Sequence, residues 1–210
     1  MIGVVDYGSG NVRAIANIFD RLDIGFGFVK TTKDLAEVTR VVLPGVGAFG
    51  QAMQALNESG LREGLDRWVL QERKPLLGIC VGMQLMADSS EESPIPGLGW
   101  IRGAVRRFED SRFQQATRLP HMGWNTVSAA AKDHLLGDVD LSAGFYFLHS
   151  YYFSCLDPAR VLGTTDYGGA FTSIVRWDNV YGVQFHPEKS HHAGVQVLKN
   201  FAGMGERSGG

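Results

Sequence analysis

The chain has 210 residues, 44% hydrophobic and 20% charged, with a formal net charge of −2. That length suits one domain, residues 1–210, with a substantial core. So small a net charge gives no footprint for nucleic acid or for an anionic membrane, and the sequence contains no transmembrane run.

Met1-Ile2-Gly3-Val4-Val5-Asp6 lacks the basic region of a signal peptide and reads as a first strand, Ile2 to Val5. Val12, Ile15, Ala16, Phe19 and Leu22 then recur at helical spacing. Phe26 to Val29 is a second strand. A short helix is expected from about Thr32, with Leu35 and Val38 inward. Arg40 to Leu43 is a third strand, expected to stop at Pro44-Gly45. Met53, Leu56, Leu61, Leu65, Trp68 and Val69 mark one or two helices, and Pro75 to Ile79 a fourth strand. Strands alternating with helices imply a mostly parallel central sheet with helices on its faces, an α/β fold with its site beyond the carboxyl ends of the strands.

The second half changes character. Trp100 to Phe108, Trp124 to Val127, Phe145 to Leu148, Val161 to Thr165, Phe171 to Val175 and Val180 to Gln184 read as short strands with few helices between, an additional antiparallel segment. Ala193 to Phe201 is a closing helix, and the small polar tail Gly203 to Gly210 is expected to fray.

Chemistry concentrates in Gly78-Ile79-Cys80-Val81-Gly82-Met83-Gln84. An apolar strand runs into a cysteine flanked by small residues, and a helix is expected to follow. Such a turn exposes the sulfur and surrounds it with backbone N–H groups, as in strand–turn–helix nucleophile elbows. A free cysteine in an apolar run is more often a small buried hydrophobe. The second motif, Gly182-Val183-Gln184-Phe185-His186-Pro187-Glu188, reverses those odds by supplying a base and an acid to orient it. Pro187 cannot continue a central strand, so the chain must turn between His186 and Glu188. Pro44-Gly45-Val46-Gly47 is a candidate oxyanion loop, although such glycines also end ordinary strands. Gly8-Ser9-Gly10 imitates a dinucleotide fingerprint, but Arg13 stands where its last glycine belongs. His186, His191 and His192 lack the tight ligand spacing of a metal site, so neither metal nor cofactor is expected.

Together these motifs resemble the class I (triad) glutamine amidotransferases. Asp6-Tyr7-Gly8, Pro44-Gly45-Val46-Gly47-Ala48-Phe49, Pro120-His121-Met122-Gly123-Trp124-Asn125, His149-Ser150-Tyr151-Tyr152 and His186-Pro187-Glu188-Lys189-Ser190 extend the resemblance over nearly the whole chain. Within that family the set is similar to glutaminase subunits of imidazole glycerol phosphate synthases. The resemblance implies the flavodoxin-like fold of that family and a glutaminase with Cys80 as nucleophile, His186 as base and Glu188 orienting it. It implies oxyanion donors among the backbone of Val46, Gly47 and Val81. Glutamine would be held by Gly45, Gln84, Glu92 and the backbone of His149, Ser150 and Tyr151. Glu92 is the less secure of these, since Ser90-Glu91-Glu92-Ser93 has serine where the family commonly has glycine.

No acceptor domain, phosphate loop or adenylation motif accompanies the glutaminase, so its ammonia must be used elsewhere. The resemblance implies a heterodimer with a (β/α)8 cyclase subunit in histidine biosynthesis, docked near Tyr7, Asn11, Met122, Trp124, Asn125 and Lys189. Two alternatives stand beside it. One is a sister glutaminase supplying ammonia to amidate a surface-polysaccharide sugar, of which Gly99-Trp100-Ile101, Tyr152-Phe153-x-Cys155 and Lys189-Ser190-His191 are reminiscent. The other is an inactive partner-binding subunit, against which the intact Cys80, His186 and Glu188 argue.

Overall fold

A computed structural model of the protein describes residues 1–109 and 119–204, so the tail beyond Met204 lies outside the described residues. Ile2–Val5 (β1) is followed by the helix Val12–Arg21 (α1), Phe26–Val29 (β2), a 3-10 turn at Asp34–Glu37 and Arg40–Gly45 (β3). Phe49–Glu58 (α2) and Arg62–Asp66 (α3) lead to Leu76–Cys80 (β4) and the single turn Val81–Gln84 (α4). Then come the strands Ser89–Ser90 (β5), Gly103–Arg107 (β6), His121–Asn125 (β7), Ser128–Ala129 (β8), Phe145–His149 (β9) and Tyr151–Cys155 (β10). Val161–Asp166 (β11), Ala170–Trp177 (β12), Val180–Val183 (β13) and the helix His191–Gly203 (α5) complete the described chain.

The main sheet runs β2-β1-β3-β4-β13-β12-β10-β6-β5, with β11 and β8 branching from β12. Its first half is parallel: β1 pairs β2 and β3, β3 pairs β4, and β4 pairs β13. β1, β3, β4 and β13 are buried along their whole length, as a sheet covered on both faces requires. Beyond β13 the partners are antiparallel as far as β6, the two-residue β5 adds to β6 in parallel, and β7 and β9 form a separate two-stranded antiparallel ribbon. This is the parallel sheet with an antiparallel addition that the sequence leads one to expect.

The departures are local. β3 does not stop at Leu43 but continues through Pro44 and Gly45, which pair with Ile79 and Cys80. Proline is tolerated because the pairing with β1 has already ended at Val42, so its missing N–H falls where β1 no longer runs alongside. The strand expected from Trp124 lies earlier, at His121–Asn125, and β10 was not expected. Its Tyr151-Tyr152-Phe153-Ser154-Cys155 follows β9 with only Ser150 between, so periodicity alone merges the two. α1 buries Ile15, Ala16, Ile18 and Phe19, and α5 buries Val197, Leu198 and Phe201, the helical spacings that clamp them to the sheet.

Candidate active site

Cys80 is the last residue of β4 and α4 begins at the next position. Its backbone takes φ +55° and ψ −113°, a region that non-glycine residues rarely occupy. Such a conformation costs about 1–3 kcal/mol and persists only where the surroundings enforce it. The flanking glycines are what enforce it. A Cβ on Gly82 would lie 1.9 Å from the Leu43 carbonyl oxygen, and one on Gly78 would lie 2.6 Å from the Gly82 oxygen. A Cβ on Gly45 would meet the Gly82 nitrogen at 2.6 Å. α4 therefore lies directly on the backbones of β3 and β4, and the Gly-x-Cys-x-Gly spacing is the imprint of that contact.

His186 and Glu188 follow β13, the neighbour of β4, around the turn that Pro187 imposes. His186 Nδ1 is 2.9 Å from Glu188 Oε1, and Cys80, which lines the same cleft, is the other group that acts on the imidazole. The side chains of His186 and Glu188 are 3% and 2% exposed, so this polar line is sealed from water except along the cleft. Burial, the largest single influence on His186, opposes its positive charge. Hydrogen bonds and attraction to Cys80 and Glu188 outweigh it and raise its pKa to about 10. Burial likewise pushes Glu188 upward, but the hydrogen bond to His186, the charge of that ring and the Asn11 amide hold its carboxyl below the usual range.

Cys80, His186 and the candidate binding residues line one cleft of about 470 Å³, with Asn11, Val46, Gly47, Val81, Gln84, Glu92, His149, Ser150, Tyr151 and Lys189 among its walls. Gly45 lies beneath it against α4 rather than among the lining residues. Gly47 takes φ +82°, which a side chain would strain. The Val46 N–H is not turned to the nucleophile. It donates to Ser9 Oγ at 3.1 Å, and the Ser9 hydroxyl donates to the Val46 carbonyl at 3.0 Å. Of the expected oxyanion donors, Val46 is thus engaged by Ser9 in this conformation. Glu92 also carries a structural duty: Oε2 accepts the Phe49 N–H at 2.8 Å and caps α2, whose own N-cap, Ala48, has no side-chain acceptor.

Comparison with known proteins decides the family. The profile described as glutamine amidotransferase class-I matches residues 3–203. The chain belongs to the class I glutamine amidotransferases. It is 49% identical over 202 residues to the imidazole glycerol phosphate synthase subunit HisH of Bdellovibrio bacteriovorus, covering 96% of this chain and 99% of that one. It is 46% identical over 204 residues to the subunit of the same name from Leptospira interrogans, covering 97% and 100%. A crystal structure of a glutamine amidotransferase superposes with a TM-score of 0.73 at 21% identity, over 96% of this chain and 98% of the other, a likeness of fold.

In this amidotransferase the expected docking residues divide into two groups. Met122 and Trp124 are 66% and 49% exposed, and Lys189 is exposed with its ammonium 5.5 Å from the Tyr146 ring. Tyr7, by contrast, is 5% exposed and its hydroxyl donates to the Pro44 carbonyl, so its role is to hold the end of β3. Asn11 and Asn125 also turn inward, Asn11 to Glu188 at 2.9 Å and Asn125 to the Asp166 carbonyl at 2.8 Å. Sequence reasoning missed Ser9 and Gln184. Gln184 is fully buried with its amide 3.7 Å from Cys80 Sγ. A glutamine inside the apolar run Val180 to Phe185 is the signal that could have found it, because a buried amide needs partners.

Proposed function

We propose that the chain is the glutaminase subunit of an imidazole glycerol phosphate synthase, one domain acting in the cytoplasm as half of a heterodimer with a (β/α)8 cyclase. The observation that carries the reading is the buried line from Cys80 through His186 to Glu188 at the floor of the cleft. Curated relatives of nearly equal length bear the name of that synthase's subunit, which supports the choice of acceptor.

Glutamine enters with its carboxamide against Cys80. The sulfur attacks the carboxamide carbon, and the oxygen, now an anion, is met by the Val81 N–H and by the Gly47 N–H. The imidazolium of His186, held by Glu188, gives its proton to the departing nitrogen, and ammonia leaves a γ-glutamyl thioester on Cys80. His186, now neutral, takes a proton from water, whose oxygen attacks the thioester. Collapse of that second intermediate releases glutamate and returns Cys80 and His186 to their starting state. The apolar surface of Met122 and Trp124 and the exposed Lys189 suit a docked cyclase that would receive the ammonia before protonation.

The test combines the chain with a (β/α)8 cyclase subunit, glutamine and the phosphoribulosyl formimino carboxamide nucleotide. Imidazole glycerol phosphate should form at the expense of glutamine. Synthesis from ammonium salts but not from glutamine would sink the glutaminase role. Stimulation by a sugar-amidating partner alone would move the acceptor to polysaccharide synthesis.

A further inference from the structure

Behind the cleft lies a polar chain that the reaction above does not use. His121 and His149 face each other across β7 and β9, buried at 3% and 7% exposure. His121 Nδ1 is 3.1 Å from His149 Nε2, and His149 Nδ1 is 2.8 Å from the Tyr151 carbonyl oxygen. At its outer end His121 Nε2 is 3.3 Å from the Asn125 amide nitrogen. At its inner end the Tyr151 oxygen accepts a second hydrogen bond, from Gln84 Nε2 at 2.8 Å.

These contacts leave one proton arrangement. A carbonyl only accepts, so His149 carries its proton on Nδ1 and its Nε2 is a bare acceptor. His121 must then donate from Nδ1 and accept at Nε2, which the Asn125 amide satisfies. Burial lowers the pKa of His121 to about 4. Burial first, then the neighbouring His121 and the charge of His186, lower that of His149 to about 3, against the opposing Tyr151 bond. Both rings are therefore neutral, as the arrangement demands. Gln84 is fixed in turn: its Nε2 donates to Tyr151 and, at 3.0 Å, to Gln184 Oε1, while the Gln184 amide reaches Cys80. With both amide hydrogens spent, Gln84 offers the cleft its Oε1, an acceptor that matches an α-ammonium group.

We infer that His121 is a positioning residue for glutamine, acting through His149 and the Tyr151 carbonyl to fix the Gln84 amide, whose Oε1 receives the substrate's α-amino end. The inference rests on the proposed glutaminase function and adds to it the residue that orients its substrate pocket. Without the His121 proton, His149 Nε2 is a buried acceptor with no donor. Moving the ring's own proton to Nε2 offers no relief, because it leaves an N–H without an acceptor and sets a bare Nδ1 against the Tyr151 oxygen. The ring must then turn in search of a partner and draw the 149–151 segment from its place.

The test compares His121→Phe, which keeps a ring beside Phe147 and Tyr167, with His121→Asn, which keeps a donor near Nδ1. In the assembled synthase, His121→Phe should raise the KM for glutamine about tenfold or more, the effect of one unsatisfied buried group. kcat should change little, and His121→Asn should restore most of the affinity. A purely structural histidine would lower the folded fraction, hence kcat, and leave KM alone. Nitrogen-15 spectra of the parent imidazoles give a second reading that needs no variant to fold: His149 should be the Nδ1–H tautomer at neutral pH. An unchanged KM in folded His121→Phe, or a His149 protonated on Nε2, overturns the inference. Should the parent release no glutamate at all, the proposed function fails, and the tautomer decides separately whether the relay exists.

Discussion

Glu188 Oε1 accepts two hydrogen bonds, from His186 and from Asn11, each 2.9 Å long. Asn11 stands at the N-cap of α1, where asparagine is favoured because its side chain can accept from the helix N–H groups, a contact worth about 1 kcal/mol. It makes no such bond. The first turn of α1 forgoes its cap so that the amide can reach Glu188, a local rule broken at a functional position. The consequence is electrostatic. The raised pKa of His186 keeps the imidazolium at neutral pH, and the charge is lost only as pH rises through about 10. Glu188→Gln removes the carboxylate and part of what raises that value. The alkaline limb of the kcat/KM profile for glutamine should move down by roughly 1–3 pH units, the range of an opposite charge at contact distance. A limb that stays in place would show that Glu188 does not tune the base. The same raised pKa is a contribution to folding, complete below about 6.5, the ordinary histidine value, and lost as pH climbs through about 10.

At the scale of elements, the site is made where β3, β4 and α4 approach too closely for side chains. Gly82→Ala would set a methyl group 1.9 Å from the Leu43 carbonyl oxygen, a backbone atom with nowhere to go. The variant should lose about 1–3 kcal/mol of stability, the usual cost of overpacking, and lose glutaminase activity disproportionately because Cys80 is carried on the same turn. Denaturant unfolding beside glutamate release measures both, and a variant equal to the parent in each would contradict the close-packed elbow. Why the sequence announced this element and not others follows from its physics. A strand ending in Gly-x-Cys-x-Gly bears its constraint in adjacent residues. The Ser9 bridge to Val46, the Glu92 cap on Phe49 and the Asn11 contact with Glu188 join residues far apart in the chain. No local pattern encodes them.

The whole molecule is a parallel sheet whose strand ends gather the site and an antiparallel addition that supplies its outer wall. Hydrophobic spacing revealed the parallel half almost residue by residue, because buried strands such as Ile2–Val5 and Leu76–Cys80 are unbroken apolar runs. The addition was harder to read. β7 alternates buried His121 with exposed Met122 and Trp124, so polar and apolar residues stand on the faces opposite to those that strand patterns lead one to assume. That inversion places histidines inside and apolar surface outside. Among the described residues no helix is long and apolar enough to cross a membrane.

Everything in this reading depends on Cys80 being the nucleophile of a glutaminase. The most direct test is glutamate release from glutamine by the chain assembled with the proposed cyclase subunit, comparing the parent, Cys80→Ala and Cys155→Ser. The account predicts release by the parent, an equal rate in Cys155→Ser, and a loss of about 10³-fold or more in Cys80→Ala, which should still support synthesis from ammonium salts. Glutamate release by Cys80→Ala at the parent rate would contradict it.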